Sequence, residues 1–207
     1  QDEVRGAFVN LGAGVAVDGF GDTDSLTNIR DVSGSRFDDV LIGTDGDNYF
    51  EGWEGADRFD GLGGTFDRVA YVWEDGEAGI TADLAAGTVI DTFGETDTLA
   101  NIEVIQGTNR VDSFLGDDAD NSFYGLDGAD TLDGGAGDGN WARYDRDARW
   151  GGDAGVVVGL NTGSARDGFG TFDVLRNIQR AVGTDFDDRF IGNAEDNLFR
   201  GRAGADA

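Results

Sequence analysis

Cysteine, histidine, methionine and proline are all absent from the 207 residues. Without cysteine there is no disulfide framework and no thiolate metal site. Without histidine, Ser-His-Asp and Cys-His nucleophile systems are excluded, together with the usual zinc constellations. No run approaches the roughly 18 apolar residues of a membrane span. No signal peptide and no Asn-x-Ser/Thr sequon occurs, and the chain does not begin with Met, so it is read as an excised or processed piece. Basic residues are scarce: 15 Lys and Arg stand against 42 Asp and Glu, a formal charge of −27. So acidic a surface repels nucleic acid and anionic membranes, which removes both as partners.

What remains for metal binding is oxygen, from Asp, Glu, Asn and backbone carbonyls. That is hard-cation chemistry, meaning calcium or magnesium. A hydrophobic fraction of 39% with 14 Phe and 4 Trp argues for a folded chain, since a disordered acidic tail lacks aromatics. The length suits one or two compact domains or one stretch of solenoid.

Glycine is plentiful, at 36 residues, and it is phased. A long repeat runs Asp18-Gly-Phe-Gly-Asp-Thr-Asp-Ser-Leu-Thr-Asn-Ile29. It returns from Asp91 to Ile102 and again from Asp167 to Ile178, at offsets of 73 and 76 residues. Within each copy lies a period of nine. Glycines open blocks at 34, 43, 52 and 61, at 107, 116, 125 and 134, and at 183, 192 and 201. The sixth positions are Asp39, Asn48, Asp57, Asp112, Asn121, Asp130, Asp188, Asn197 and Asp206, all Asp or Asn. The eighth positions are Leu41, Phe50, Phe59, Phe114, Phe123, Leu132, Phe190 and Phe199, all Leu or Phe.

Gly52-Trp-Glu-Gly-Ala-Asp57-Arg-Phe-Asp60 and Gly125-Leu-Asp-Gly-Ala-Asp130-Thr-Leu-Asp133 closely resemble the nonapeptide GGxGxDxUx of the repeats-in-toxin, or hemolysin-type, family. The resemblance implies an all-β, right-handed parallel β-roll (a β-solenoid) with calcium ions between stacked Gly/Asp-rich turns. It also implies a bacterial product of type I secretion, unfolded in the low-calcium cytosol and folded at the cell surface or in the medium. The second glycine of the motif is mostly replaced, and the blocks at 61 and 134 carry one extra residue before Tyr71 and Tyr144. Three units are expected, 1–75, 76–150 and a truncated 151–207, together one continuous solenoid.

The residues themselves support the same reading. Six positions rich in Gly and Asp make a turn, and the next three, polar-apolar-polar, make a short strand with its middle side chain inward. Two nonapeptides then make one coil, so blocks n and n+2 share an edge. Asp39 should stack on Asp57, Asp112 on Asp130 and Asp188 on Asp206, each pair supplying calcium with two carboxylates beside turn carbonyls. Asn48, Asn121 and Asn197 fall on the opposite edge and should bind more weakly. Their partners are expected to be the spacer aspartates Asp24, Asp97 and Asp173, or the irregular turns at Asp67 and Asn140. The ions are structural, so the metal-free state is expected to be disordered.

Other chemistries fit poorly. With 42 acids some pair must fall close, so a carboxylate pair is weak evidence for a glycosidase. Gly19-Phe-Gly21 lacks the Lys and helix of a phosphate loop, and no stretch matches an EF-hand. Arg143, Arg146 and Arg149 with Trp141 and Trp150 form the one basic-aromatic cluster. It is either a solvated connection covering a coil edge or a contact for an acidic module or a polysaccharide; Trp53 shares that ambiguity. The expected role is non-enzymatic, a structural region of an adhesin, S-layer or filament. Its partners would be calcium and neighbouring repeats, or copies of itself end to end, because both ends fall within a repeat. The alternatives are an accessory module of a secreted protease, lipase or epimerase, and a carbohydrate-binding module.

Overall fold

The computed structural model describes residues 5–207. They form two compact units, one of residues up to Ala78 with Ala86–Gln106, the other of Gly79–Ala85 with Gly107–Ala207. Strands of three to five residues build both, and a single helical turn, Asp147–Trp150, lies in the second.

In the first unit Val40–Thr44 pairs in parallel with Arg58–Leu62, and Asp31–Ser33 with Tyr49–Glu51 on the second sheet. In the second unit Ser113–Leu115 pairs with Thr131–Asp133, and Arg180–Val182 with Leu198–Arg200. Each of these pairings joins residues 18 apart, such as Val40 to Arg58, so two nonapeptides make one coil. Where a block carries an extra residue the spacing becomes 19, as for Tyr49 and Arg68 or Ser122 and Trp141. The insertion is absorbed in the turn, and the strand keeps its inward residue.

The period of two along each short strand sends one side chain inward. Leu41, Phe50, Phe59 and Val69 fill the first core, and Phe114, Phe123, Leu132 and Ala142 the second, all buried. Neighbouring rings stack, with centroids 5.2 Å apart for Phe114 and Phe123. Full burial of one such side chain is worth about 1.5–3 kcal/mol. Phe190 and Phe199 stack likewise but are only half-buried.

The spacers depart from an all-parallel roll. Phe8–Asn10, Val15–Val17 and Thr23–Ser25 form an antiparallel meander, and Val157–Gly159, Ser164–Arg166 and Phe172–Arg176 repeat it. The first strand of each meander also pairs in parallel with the roll, Phe8 with Val40 and Val157 with Arg189. The reversal comes from Leu-x-x-Gly turns. Gly14 and Gly163 adopt φ of 70° and 65°, and a Cβ there would lie 2.8 and 2.9 Å from the carbonyl oxygens of Leu26 and Leu175. The Asp-x-Phe-Gly signature then closes a tight loop, in which Asp18 Oδ1 accepts the N–H groups of Phe20, Gly21 and Asp22 at 2.8–2.9 Å.

Candidate metal centre

The nonapeptide turns are of two kinds. Blocks opening at 34, 43, 107, 116, 183 and 192 carry Ser35, Thr44, Thr108, Asp117, Thr184 or Asn193 at their second position. The N–H of that residue donates to the sixth-position side chain at 2.5–2.9 Å. Its own side chain accepts the N–H of the fourth residue at 2.8–3.2 Å. Such a turn is closed by its own hydrogen bonds.

Blocks opening at 52, 125 and 201 close differently. Trp53, Leu126 and Arg202 take positive φ of 74°, 68° and 74°, and Gly55, Gly128 and Gly204 follow at 120°, 145° and 115°. The opening glycine is required because the sixth carboxylate folds over it: a Cβ on Gly52 would lie 1.9 Å from Asp57 Oδ2, and on Gly125 2.3 Å from Asp130 Oδ2. Asp57 Oδ2 and Asp130 Oδ2 are buried without a hydrogen-bond partner.

Along the aspartate edge the sixth residues form a ladder. The N–H of Asp39 donates to Asp57 Oδ1 and that of Asp112 to Asp130 Oδ1, both at 2.8 Å; Asp188 donates to Asp206 Oδ1 at 3.1 Å. The three expected pairs are therefore stacked one coil apart. The upper members are already engaged, however. Asp112 Oδ1 accepts from Ile80 N and Thr108 Oγ1, and its Oδ2 from Thr108 N; Asp39 and Asp188 are held in the same way.

The spacer aspartates Asp97 and Asp173 stand on this same edge, not opposite. Asp57 N donates to Asp97 Oδ1 at 2.8 Å, and Asp130 N to Asp173 Oδ1 at 3.1 Å. Of the two sets of partners expected for the asparagines, Asp97 and Asp173 are ruled out because the meander adds residues without adding a coil, and the irregular turns at Asp67 and Asn140 are the partners found for Asn48 and Asn121. Asp24 is exposed on the strand Thr23–Ser25. On the asparagine edge, Asn48 N donates to Asp67 Oδ1 at 2.7 Å, and Asp67 N to Glu103 Oε2 at 3.0 Å. In the second unit the corresponding steps are amides: Asn121 N to Asn140 Oδ1 and Asn140 N to Gln179 Oε1. Asn197 is half-buried and reaches the carbonyl of Gln179. The Asp67 edge is thus acidic, and the Asn121–Asn140 edge neutral.

Desolvation pushes Asp57 and Asp130 up to about 9, with further repulsion from Asp97, Asp39 and Glu74 on Asp57 and from Asp112 and Asp173 on Asp130. Asp67 rises to about 7 for the same leading reason. A buried carboxylate needs a proton or a cation. No three carboxylates of the described residues converge closely enough to hold an ion by themselves. The residues fit calcium in donor type, since Asp57 and Asp130, and Asp67 on the other edge, each keep a buried carboxylate oxygen without a hydrogen-bond partner.

A raised carboxylate binds its proton more tightly when folded, so its favourable contribution is complete below the unfolded value and is lost as pH rises through the folded one. For Asp57 and Asp130 that window runs from 3.8 to about 9. In metal-free buffer, β-structure followed by circular dichroism should therefore be greater at about pH 5 than at about pH 8, and calcium should bind more tightly at the higher pH with release of protons.

The basic-aromatic cluster is satisfied internally. Arg143 pairs with Asp145 at 3.1 Å, and Arg143 and Arg146 both cover the ring of Tyr124. Arg149 lies over Trp150, while Arg180 and Arg200 lie over Trp141 at 5.6 and 4.7 Å. Trp53 is 38% exposed, and its Nε1 donates to Ser33 Oγ.

Compared with known families, residues 33–65, 106–140 and 182–207 match the RTX calcium-binding nonapeptide repeat (4 copies). Those segments hold the self-closed turns and the blocks opening at 52, 125 and 201, and leave Asp67 and the meanders outside. No curated protein matches the chain.

Proposed function

The chain carries RTX calcium-binding nonapeptide repeats, and on that premise we propose that it is a calcium-folded structural region of a secreted bacterial surface protein such as an adhesin, S-layer or filament. The observation that carries this reading is the aspartate ladder, whose free oxygens on Asp57 and Asp130 are buried and unpartnered. A ladder of this kind repeats coil by coil and offers bound ions as its cross-links. It suits an array whose task is to exist as a stiff element, with no catalytic role. Export unfolded and folding on contact with external calcium follow from the same electrostatics, because the acid stack repels itself until cations arrive. The polysaccharide alternative draws little support from Trp141, since arginines cover its ring.

The test is calcium counting on Asp57→Ala and Asp130→Ala. Each should bind at least one ion fewer than the parent and need several-fold more calcium for half-maximal folding. Unchanged stoichiometry in both would remove the turn-site reading.

A further inference from the structure

The three copies of the long repeat differ on one face. In the third, the strands Val157–Gly159, Ser164–Arg166 and Phe172–Arg176 lie side by side, with Arg189–Ile191 beyond the first of them. The register sets Arg189 beside Val157, Val157 beside Arg166 and Arg166 beside Phe172, in one row across four strands. Val174 and Arg176 follow Phe172 at every second position, so they stand on the same outer face. All six side chains are exposed, Phe172 at 65%. Val158, Ala165, Asp173 and Leu175, which alternate with them, are buried on the other side.

The other two copies carry none of this. Val17 and Ile90 take the place of Arg166, Thr23 and Thr96 that of Phe172, and Ser25 and Thr98 that of Val174. Val40 and Ser113 stand where Arg189 does. Small hydroxyl and β-branched side chains suit a strand face that meets only water. Phenylalanine, valine and arginine in their place add exposed apolar area and positive charge without adding to the core. Nor do the arginines pair with acids of their own chain: among the described residues Arg166, Arg176 and Arg189 have no ion pair. Asp133 stands beside Arg176 in the register, but its Oδ1 accepts from Gly135 N and Asn177 Nδ2. Contiguous exposed apolar surface marks an interaction site, and arginine and aromatic side chains are the ones that anchor interfaces.

We propose that this face of the third copy packs against the acid-rich first unit of a second copy of the chain. Two thirds of the 15 arginines but fewer than half of the 42 acids lie in the second unit, so the first is the more negative of the two. Exposed turn acids there, such as Asp45, Asp47 and Glu54, are carboxylates for the guanidinium groups to meet. A symmetric contact of the patch with itself would set arginine against arginine and is disfavoured. The contact is therefore heterologous, and a heterologous contact that does not close extends into an open assembly. Each bound calcium removes two negative charges from the mutual repulsion of the copies. The contact uses the outer face of a sheet and needs the turn sites only in so far as they keep the chain folded.

Sedimentation velocity of the full chain at saturating calcium, over a range of protein concentrations, tests this. The parent should assemble as its concentration rises, and added sodium chloride should reverse the assembly by screening exposed charges. Arg166→Glu with Arg189→Glu should stay monomeric wherever the parent assembles. Phe172→Ser should need at least about tenfold more protein for half-assembly. All three positions are exposed, so circular dichroism should show each variant folded like the parent. Ile90→Glu with Ser113→Glu adds acids at the matching positions of the second copy and should assemble like the parent; equal loss in both pairs would make net charge the cause and overturn the proposal. Assembly untouched by the Arg166 and Arg189 changes would overturn it as well. So would a parent that binds calcium and stays monomeric, which leaves the reading under Proposed function standing; a parent that assembles without binding calcium would do the reverse. A monomeric parent held on an immobilised anionic polysaccharide through these arginines would give the face another occupant, and that too overturns the proposal.

Discussion

Removing calcium with a chelator is expected to abolish the β-sheet signal in far-ultraviolet circular dichroism, and restoring calcium to bring it back. The reason is additive. Each ion that binds only the folded chain contributes about 2.7 kcal/mol at a hundredfold excess over its dissociation constant. Two or three such ions match the whole stability of an ordinary domain, about 5–15 kcal/mol. Opposing them are the 42 acids, with Asp57 and Asp130 buried and lacking partners on one oxygen. The apolar core is one side chain wide at each coil, Leu41 to Val69 in the first unit, and has little reserve to hold that charge. A chelated chain that keeps its spectrum would show that the self-closed turns suffice.

Gly128→Val should be nearly as damaging, even at saturating calcium. Gly128 sits at φ 145°, and a Cβ there would meet the Arg110 carbonyl oxygen at 2.3 Å and Asp130 Oδ1 at 2.7 Å. The first contact is with backbone, so the turns must part, and the second displaces the carboxylate that faces the ion. The expected loss is about 3–5 kcal/mol, or a fall in melting temperature of roughly 10 °C at saturating calcium. Gly94→Ala separates the two causes. Its φ of 86° is also left-handed, but nothing lies within 4 Å of the added carbon, so only about 1 kcal/mol is expected. Equal losses at the two positions would mean that conformation, not crowding, governs the turn.

Sequence made the roll legible because its two signals are local and periodic. Glycine at the first position, Asp or Asn at the sixth and Leu or Phe at the eighth each report on one coil, and the registers of 18 residues follow from counting. The spacers defeat counting. Forty residues separate Asp57 from Asp97, yet the two are adjacent rungs, because a meander leaves the stack and returns to it. The Leu-x-x-Gly turns at Gly14 and Gly163, followed by the alternating Val15-Ala-Val17 and Ser164-Ala-Arg166, are the signal that would have revealed the excursion. The division of turns into self-closed and open kinds was visible too, in the Ser, Thr, Asp or Asn at the second position. Its meaning needed the hydrogen bonds, since the same hydroxyl elsewhere is only a polar surface residue.

The aspartate ladder also has a sense of travel. The amide of Asp39 is received by Asp57, 18 residues later, and that of Asp57 by Asp97; Asp112, Asp130 and Asp173 follow the same order. Every rung is completed by a residue that comes after it in the chain, never before. Such a stack grows by one-way succession, in which the latest finished floor always waits for the next to supply its acceptor. Interrupting the series in its middle therefore injures the two sides unequally. The earlier portion is left with an unanswered donor, and the later portion with a carboxylate oxygen that water can serve at little cost.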